Sequence, residues 1–433
     1  MTDGYFEGAL RSGLATLARE AVPEVEVPLR VDVVDMHPVQ PRADHAGRRV
    51  VALAVAIALG VGAVAIAVSM HGERRSTRIV GPQPIISAVP IGPLGPRADQ
   101  AAVFTGTEVL IWGGHYQPVS ETTPPVASAS TPGTTSALAD GAAFDLETER
   151  WRKLAPAPIV ARYNAVAAWT GSEMLVVGGL SDAVPATASR VLETGAAYDP
   201  ARDRWRQIPD APLCVDTGAW TGKVLVVGGN CAGAPFGLAA FDPRRNSWTR
   251  IPTPPNFEYR LVGLDGALFA WNGQTLRGAK FEPSSRSWLA LPPLPEQPSG
   301  FSAVATFGKS LAVMGPVSPV ASGTAVDLLV PGASAWQHLT SSEVGSLGPA
   351  IAGSQTLLVW NEGVGYAWMT GDPTNGSIQF AHVASGPASL DRVSETLLIV
   401  GDRRVFIWGG QSIPNGASGT SRPSNDGALI EIP

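Results

Sequence analysis

Two cysteines, Cys214 and Cys231, are the residues of this chain whose type and spacing predict a definite chemistry. A turn near Gly222 lies midway between them, and residues placed symmetrically about a hairpin turn face each other across its two strands. Such a pair is close enough to form a disulfide. Two free buried thiols are the alternative, whereas a metal site is disfavoured because two thiols without a nearby histidine are too few ligands. A disulfide would indicate an oxidising compartment.

Histidines and carboxylates offer little further chemistry. The sequence contains no HExxH motif, no Cys-x-x-Cys pair and no glycine-rich phosphate loop, and its six histidines are dispersed. Four acidic residues recur at equivalent places, Asp145, Asp199, Asp242 and Glu282. Each directly precedes a turn, so we interpret them as turn caps rather than as a catalytic constellation. We therefore expect no catalytic residue, no bound metal and no cofactor, and we interpret the protein as a non-enzyme.

The elements that carry the cysteines belong to a repeated unit of two hairpins. Ala165–Trp169 and Met174–Val177 are apolar runs separated by a Thr-Gly turn, which is typical of a β-hairpin. Gly178 and the glycine after it end the second run, where positive φ costs little. A second hairpin follows, in which Asp199 opens the turn and Trp205 lies in the last strand.

This unit recurs with regularly spaced tryptophans. Its turn-plus-Trp half reads FDLETERW, YDPARDRW, FDPRRNSW, FEPSSRSW and LVPGASAW, ending at Trp151, Trp205, Trp248, Trp288 and Trp336. These tryptophans are 54, 43, 40 and 48 residues apart. A period of roughly 40–50 residues with four strands in each period is typical of a propeller blade. We interpret the tryptophans as core between blades rather than as a sugar-stacking platform.

In its order of strand, Gly-Gly, strand and Trp, the repeat over about residues 97–433 resembles the kelch family. The resemblance implies an all-β fold, a seven-bladed kelch-like β-propeller. The blades would be 97–158, 159–212, 213–255, 256–295, 296–341, 342–388, and a composite of 389–433 with 85–90. The composite is expected because the last unit supplies only three strands, so an N-terminal strand must close the ring. The sixth unit has Phe380 in place of the Trp, which leaves six or eight blades as alternatives.

The residues before the repeat predict a tail, a membrane span and a linker. Residues 1–49 form the tail, in which Tyr5–Ala21 has the spacing of a short amphipathic helix that either docks a cytoplasmic partner or lies on the membrane. Val50–Met70 is an uncharged run of 21 residues, long enough to cross the bilayer as a single transmembrane helix. Residues 71–84 form the linker, and 85–433 the propeller. Arginines flank the span equally, so the orientation rests on the predicted disulfide, which places the propeller outside the cell membrane and the N-terminus in the cytoplasm.

Three long loops suggest where the ring binds. They connect the second and third strands of adjacent predicted blades, at 115–140, 180–194 and 411–426, and would form a raised lip on one face. Candidate contact residues in this lip, expected at exposed positions, are His115, Tyr116, Arg190 and Arg422. Loop 115–140 is rich in Ser, Thr, Pro and Ala, so disorder is the alternative for that loop.

The sequence thus predicts an extracytoplasmic module that binds a protein or glycan ligand outside the membrane. The bilayer would be bound through residues 50–70, and the net charge of −6 without a basic field argues against nucleic acid. One alternative is a divergent propeller enzyme of oxidase or lyase type. Some kelch proteins are copper oxidases, but the Cys–Tyr crosslink and paired histidines that they need have no counterpart here. A structural envelope component is the other alternative.

Overall fold

The structure is a computed structural model. It describes residues 84–116, 136–182, 191–231, 235–254, 260–295, 303–316, 324–341, 347–352, 356–361, 365–372, 377–382, 392–393, 395–412 and 423–432. The predicted tail, the predicted span and all but the last residue of the predicted linker lie outside this part of the chain. Among the described residues, no helix has the length and apolar character needed to cross a membrane. The described elements are strands, and they belong to the compact unit Val80–Pro433.

The first hairpin of each of the first three units forms around a threonine-glycine turn. The hydroxyl of Thr105 accepts a hydrogen bond from the amide of Glu108 and donates one to its carbonyl oxygen. Thr170 and Glu173 repeat both bonds in the next unit. The glycine after each threonine has a positive φ, 109° at Gly106 in the first unit, which glycine adopts without strain. The Thr-Gly dipeptide therefore sets where the first strand ends and the second begins.

The described residues form seven four-stranded sheets, and neighbouring strands in each are antiparallel. Sheet 1 contains β2 (Ala101–Phe104), β3 (Glu108–Trp112), β6 (Gly141–Asp145) and β7 (Arg150–Lys153), with a two-stranded extension of β4 (His115–Tyr116) and β5 (Ser136–Ala137). Sheet 2 contains β8 (Val166–Trp169), β9 (Met174–Val177), β10 (Gly195–Asp199) and β11 (Arg204–Ile208). Sheet 3 contains β12 (Thr217–Trp220), β13 (Leu225–Gly229), β14 (Gly237–Asp242) and β15 (Ser247–Ile251).

The next three sheets follow the same order along the chain. Sheet 4 contains β16 (Arg260–Leu264), β17 (Ala267–Asn272), β18 (Arg277–Glu282) and β19 (Ser287–Ala290). Sheet 5 contains β20 (Ala303–Phe307), β21 (Ser310–Pro316), β22 (Thr324–Leu329) and β23 (Gln337–Ser341). Sheet 6 contains β24 (Leu347–Ala352), β25 (Thr356–Asn361), β26 (Gly365–Asp372) and β27 (Ser377–His382).

Sheet 7 combines the two ends of the described chain. It contains β29 (Thr396–Ile399), β30 (Arg404–Trp408) and β32 (Gly427–Glu431), and its fourth strand is β1 (Ile85–Val89); a short pair, β28 (Arg392–Val393) and β31 (Gln411–Ser412), lies beside it. β1 pairs with β32 in register from Ile85 opposite Glu431 to Val89 opposite Gly427. The predicted closing strand at 85–90 is thereby confirmed.

The first strands of the sheets form the inside of a closed ring. β2, β8, β12, β16, β20, β24 and β29 each lie beside the next, and β29 lies beside β2 again. The apolar core lies between successive sheets; one cluster joins Leu175 and Val177 of sheet 2 to Leu225 and Val227 of sheet 3. An all-β propeller is therefore the architecture of the described chain.

The repeated tryptophans join each sheet to the one before it. The indole Nε1 of Trp151 donates to the carbonyl oxygen of Pro90 at 2.7 Å, directly after β1. Trp205, Trp248, Trp288 and Trp336 donate in the same way to Ala155, Pro209, Pro252 and Pro292, each of which lies just beyond the outermost strand of the preceding sheet. Their interpretation as core between blades is confirmed.

The repeated acids cap turns, as their position before each turn predicts. Oδ1 of Asp199 accepts hydrogen bonds from the amides of Ala201 and Arg202. Asp145, Asp242 and Glu282 accept from backbone amides two or three residues later in the same way. Each carboxylate therefore satisfies its own turn.

Candidate functional site

The three long loops begin and end in short antiparallel stems at equivalent positions of three sheets. In sheet 1, His115 pairs with Ala137 and Tyr116 with Ser136. In sheet 2, Leu180 bridges Val191, and in sheet 7, Gln411 bridges Pro423. These sheets are consecutive in the ring, because β2 lies beside both β8 and β29. The stems therefore stand side by side on one face, as predicted; the loop segments 117–135, 183–190 and 413–422 lie outside the described residues.

Backbone hydrogen bonds tie the neighbouring stems together. The amide of Gly410 donates to the carbonyl oxygen of Arg97 at 2.8 Å, and the amide of Gly114 donates to that of Arg162 at 2.9 Å. The carboxylate of Asp182, in the second stem, accepts a bond from the amide of Ala137, in the first, at 2.7 Å. The three stems consequently form one hydrogen-bonded platform, which is named the stem platform below.

Glycine is required where the sheets meet under this platform. A Cβ on Gly113 would lie 2.7 Å from the carbonyl oxygen of Arg162, in the next sheet. A Cβ on Gly409 would lie 3.0 Å from that of Arg97. Both glycines have φ of 70°, which other residues rarely adopt. The interpretation of the Gly-Gly pairs as structural is confirmed, with the further role of allowing two backbones to bond.

Two buried arginines hold the platform from below. The guanidinium of Arg97 donates to the carbonyl oxygen of Gly113 and, through two nitrogens, to both carboxylate oxygens of Asp140. Arg162 donates to the carbonyl oxygens of Gly178 and Thr194 and to the hydroxyl of Thr194. Each arginine is 1% exposed. Each arginine therefore links the residues just before the first strand of its sheet to the two ends of the long loop in the same sheet.

Arg162 differs from Arg97 in having only neutral acceptors within the described chain. Its burial lowers the pKa of the guanidinium to about 10, because a buried charge loses its hydration. Sequence reasoning missed both arginines. The sequence signal for them was an arginine a few residues before the first strand of sheets 1 and 2, in PRADQ and in ARYNA.

Of the predicted lip residues, His115 and Tyr116 are described, and they differ. His115 is 7% exposed, so the expectation of an exposed histidine is wrong; β4 extends the hairpin and turns the side chain inward. Its ring packs 4.9 Å from the ring of Tyr163, and its Nδ1 lies 3.2 Å from Oδ2 of Asp99. Tyr116 is 39% exposed and remains a candidate contact. Arg190 and Arg422 lie outside the described residues.

The cysteines lie in sheet 3, next to the platform. Cys214 and Cys231 form the predicted disulfide, with their Cα atoms 4.9 Å apart. Their register continues that of the hairpin, in which Thr217 pairs with Gly228. Sheet 3 has Val215 at the position of the buried arginine. The carbonyl oxygen of Val215 accepts a hydrogen bond from the amide of Gly179, just as the carbonyl oxygen of Arg162 accepts one from the amide of Gly114. The disulfide thus lies where sheet 3 has no arginine to fix the start of its first strand.

Glu193 lies close to this disulfide, and Asp216 follows Cys214 by two residues along the chain. Among the described residues, Glu193, Cys214 and Cys231 form the one group whose atoms are placed to hold a metal ion. Asp216 lies directly before β12, and loss of hydration raises the pKa of its carboxyl to about 6. In the oxidised chain the two sulfurs are bonded to each other, so they offer no thiolate to a metal.

The fold and the platform define the class of protein, an all-β propeller that carries a rigid platform of loop stems on one face. No protein-family model matches the chain, and a search of curated proteins finds no match either. The kelch resemblance therefore rests on the repeated residues themselves.

Proposed function

We propose that the protein is a kelch-like propeller that binds a protein ligand through the lip above the stem platform. The observation that supports this most is that three adjacent stems are held rigidly by backbone bonds and buried arginines. Loops on a rigid base are the usual means by which propellers and similar scaffolds recognise partners. An exposed tyrosine at the edge of the platform, Tyr116, is a residue type that often anchors an interface.

A protein is favoured over a glycan because the five repeated tryptophans, which could have formed a sugar-stacking surface, pack between sheets instead. Four of the five repeated tryptophans are half-buried and Trp336 is buried, and each donates its indole N–H to the neighbouring sheet. The glycan remains the alternative ligand, and loss of capture from an enzymatically deglycosylated extract would favour it.

The test is capture from an envelope extract of the parent organism, with the bound protein identified by mass spectrometry. Replacing 117–135 by a short Gly-Ser turn should abolish capture while the melting temperature stays nearly unchanged, because the pairing of Tyr116 with Ser136 is kept. Tyr116→Ala should reduce capture. Leu289→Ala, at an exposed position on sheet 4, is the matched control and should not. Equal capture by all variants would show that the partner binds elsewhere on the ring.

We further propose that residues 50–70 anchor this propeller to the outer side of a cell membrane. The disulfide supports the location, because such bonds persist in oxidising compartments. The full chain should resist alkaline extraction from membranes, whereas a chain beginning at Ile79 should be soluble. Membrane retention of the shortened chain would contradict the single anchor.

An enzyme is the second candidate, of oxidase or lyase type, and a structural envelope component the third. Copper or iron at one equivalent in protein purified without added metal would favour the enzyme. A chain that captures no partner and carries no metal, but whose loss alters the envelope, would favour the structural role.

A further inference from the structure

The structure brings a third metal-binding side chain to the two cysteines. A carboxylate oxygen of Glu193 and the sulfurs of Cys214 and Cys231 all lie within 4.8 Å of one another. Glu193 precedes β10 of sheet 2, whereas the cysteines flank the β12–β13 hairpin of sheet 3. The three side chains therefore meet at the junction of two sheets, although 21 residues separate Glu193 from the first cysteine.

The backbone on both sides of Glu193 is fixed against the cysteine segment. The carbonyl oxygen of Leu192 accepts a hydrogen bond from the amide of Val215 at 2.9 Å, and that of Glu193 accepts one from Ala211 at 2.9 Å. The carbonyl oxygen of Thr194 accepts bonds from Gly178 and from the buried Arg162. The backbone position of Glu193 relative to the cysteine segment therefore belongs to the folded scaffold and does not depend on the S–S bond alone, while the Glu193 side chain is exposed at the junction.

We propose that this junction, when its disulfide is reduced, binds a zinc ion through the two cysteine sulfurs and the Glu193 carboxylate. Thiolate and carboxylate are ligands that zinc accepts, with Zn–S of about 2.3 Å and Zn–O of about 2.0 Å. Ligand atoms around a tetrahedral zinc are therefore roughly 3.5–4 Å apart, a spacing that small side-chain rotations of this group reach. Water completes the fourth position.

The bonds and electrons balance as a two-step exchange. A dithiol reductant supplies two electrons and two protons, so the Cys214–Cys231 bond breaks into two thiols while the dithiol becomes a disulfide. Binding of Zn²⁺ then releases both protons to solvent and forms two Zn–S bonds and one Zn–O bond. The disulfide and the zinc site exclude each other. The two cysteines are therefore linked by the S–S bond under oxidising conditions and through the zinc ion under reducing conditions.

The experiment uses the full chain, reduced with dithiothreitol and freed of reductant by gel filtration without oxygen. Titration with Co²⁺, a spectroscopic substitute for Zn²⁺, should give one equivalent bound per chain, with a sulfur-to-cobalt charge-transfer absorption and the visible bands of a tetrahedral ion. Added Zn²⁺ should remove the signal. The oxidised chain should give neither band, because it has no thiolate to offer.

Variants separate the three ligands. Cys231→Ser should abolish one-equivalent binding. Glu193→Gln keeps both thiolates and should weaken cobalt binding at least about tenfold. Mutation of a residue that only supports a metal ligand already weakens binding by about that factor, so loss of a ligand should weaken it no less. Asp210→Asn, at an exposed position in the connection before Cys214, is the matched control and should bind as the unchanged chain does.

Three results would overturn the proposal. They are absence of tetrahedral cobalt in the reduced chain, equal binding by the oxidised chain or by Cys231→Ser, and unchanged affinity in Glu193→Gln. Tryptophan fluorescence reports whether reduction unfolds the ring. Unfolding that Zn²⁺ does not reverse would also count against it, because binding to the folded junction must stabilise it.

Discussion

Arg97 and Arg162 make the same contact in neighbouring sheets: Nη1 of each donates to the carbonyl oxygen of the first glycine in the Gly-Gly pair of its own sheet, at 3.0 Å in both. The carbonyl oxygen of each arginine also accepts a bond from the second glycine of the sheet before it. One residue therefore links the first strand, the loop stem and the adjacent sheet. The stems of the three long loops rest on this link, so these stems should move little if a partner binds the lip as proposed.

Removing the Arg162 side chain should destabilise the ring more than any exposed arginine does. Arg162→Met leaves the carbonyl oxygens of Gly178 and Thr194 buried with one partner fewer, and hydrogen bonds to a charged group contribute about 1.5–3 kcal/mol each. We expect a loss of about 3 kcal/mol in the free energy of unfolding, measured by urea denaturation. Arg150→Met, at an exposed position, should change it by less than about 0.5 kcal/mol. Similar values for the two variants would contradict the role of Arg162.

Closure of the ring through β1 predicts a second outcome. A chain beginning at Pro93 lacks the five pairs between β1 and β32 and the bond from Trp151 to Pro90, while it keeps the buried Leu94. Its melting temperature should lie roughly 5 °C or more below that of a chain beginning at Ile79, because an open edge and lost burial each reduce stability.

The matched control for closure retains the strand and changes only exposed side chains. Ile85→Thr alters a residue that is 66% exposed and leaves its pairing with Glu431 possible. This variant should melt within about 1 °C of the unchanged chain, since exposed substitutions rarely matter. If the chain beginning at Pro93 also melts there, β1 does not close the ring.

The features that could be predicted from the sequence are those with a local cause. The Thr-Gly turns and the capping acids follow from residues a few positions apart. The register of the two cysteines, 17 positions apart, follows from the single hairpin turn between them, and the recurring tryptophans show the repeat that contains these features. Even β1, distant in sequence from β32, was predictable, because the last repeat is one strand short and an apolar stretch precedes the first.

The features that could not be predicted depend on contacts between sheets. An arginine is normally solvent-exposed, and the burial of Arg162 results from carbonyl oxygens of the sheet and stem that surround it. His115 follows a Gly-Gly pair and has the sequence context of a loop, yet its pairing with Ala137 buries it. Glu193 carries no motif that connects it to Cys214; only the packing of sheet 2 against sheet 3 brings them together.

The disulfide should contribute measurably to stability in the oxidised chain. Closing a loop of 17 residues restricts the unfolded chain by roughly 3 kcal/mol. Cys214→Ser combined with Cys231→Ser should therefore lower the free energy of unfolding by about that amount. Mass spectrometry of exported protein, isolated with a thiol-blocking reagent, should detect no blocked cysteine. Two blocked thiols would remove the argument for an oxidising compartment.

The carboxyl of Asp216 predicts how stability changes with pH. Although Asp216 as a whole residue is exposed, loss of hydration at its carboxyl raises its pKa to about 6, above the ordinary value of 3.8 that it has in the unfolded chain. The folded state therefore binds this proton more tightly, and the resulting stabilisation is complete below the ordinary value and is lost as the pH rises to about 6.

Asp216→Asn cannot ionise, so the difference in unfolding free energy between this variant and the unchanged chain should grow in favour of the variant between pH 4 and pH 7. Urea denaturation across that range measures it, with Asp210→Asn, in the connection before Cys214, as the control that should show no such growth. A constant difference for Asp216→Asn would mean that this carboxyl is ionised throughout and that packing against Gly229 does not remove its hydration.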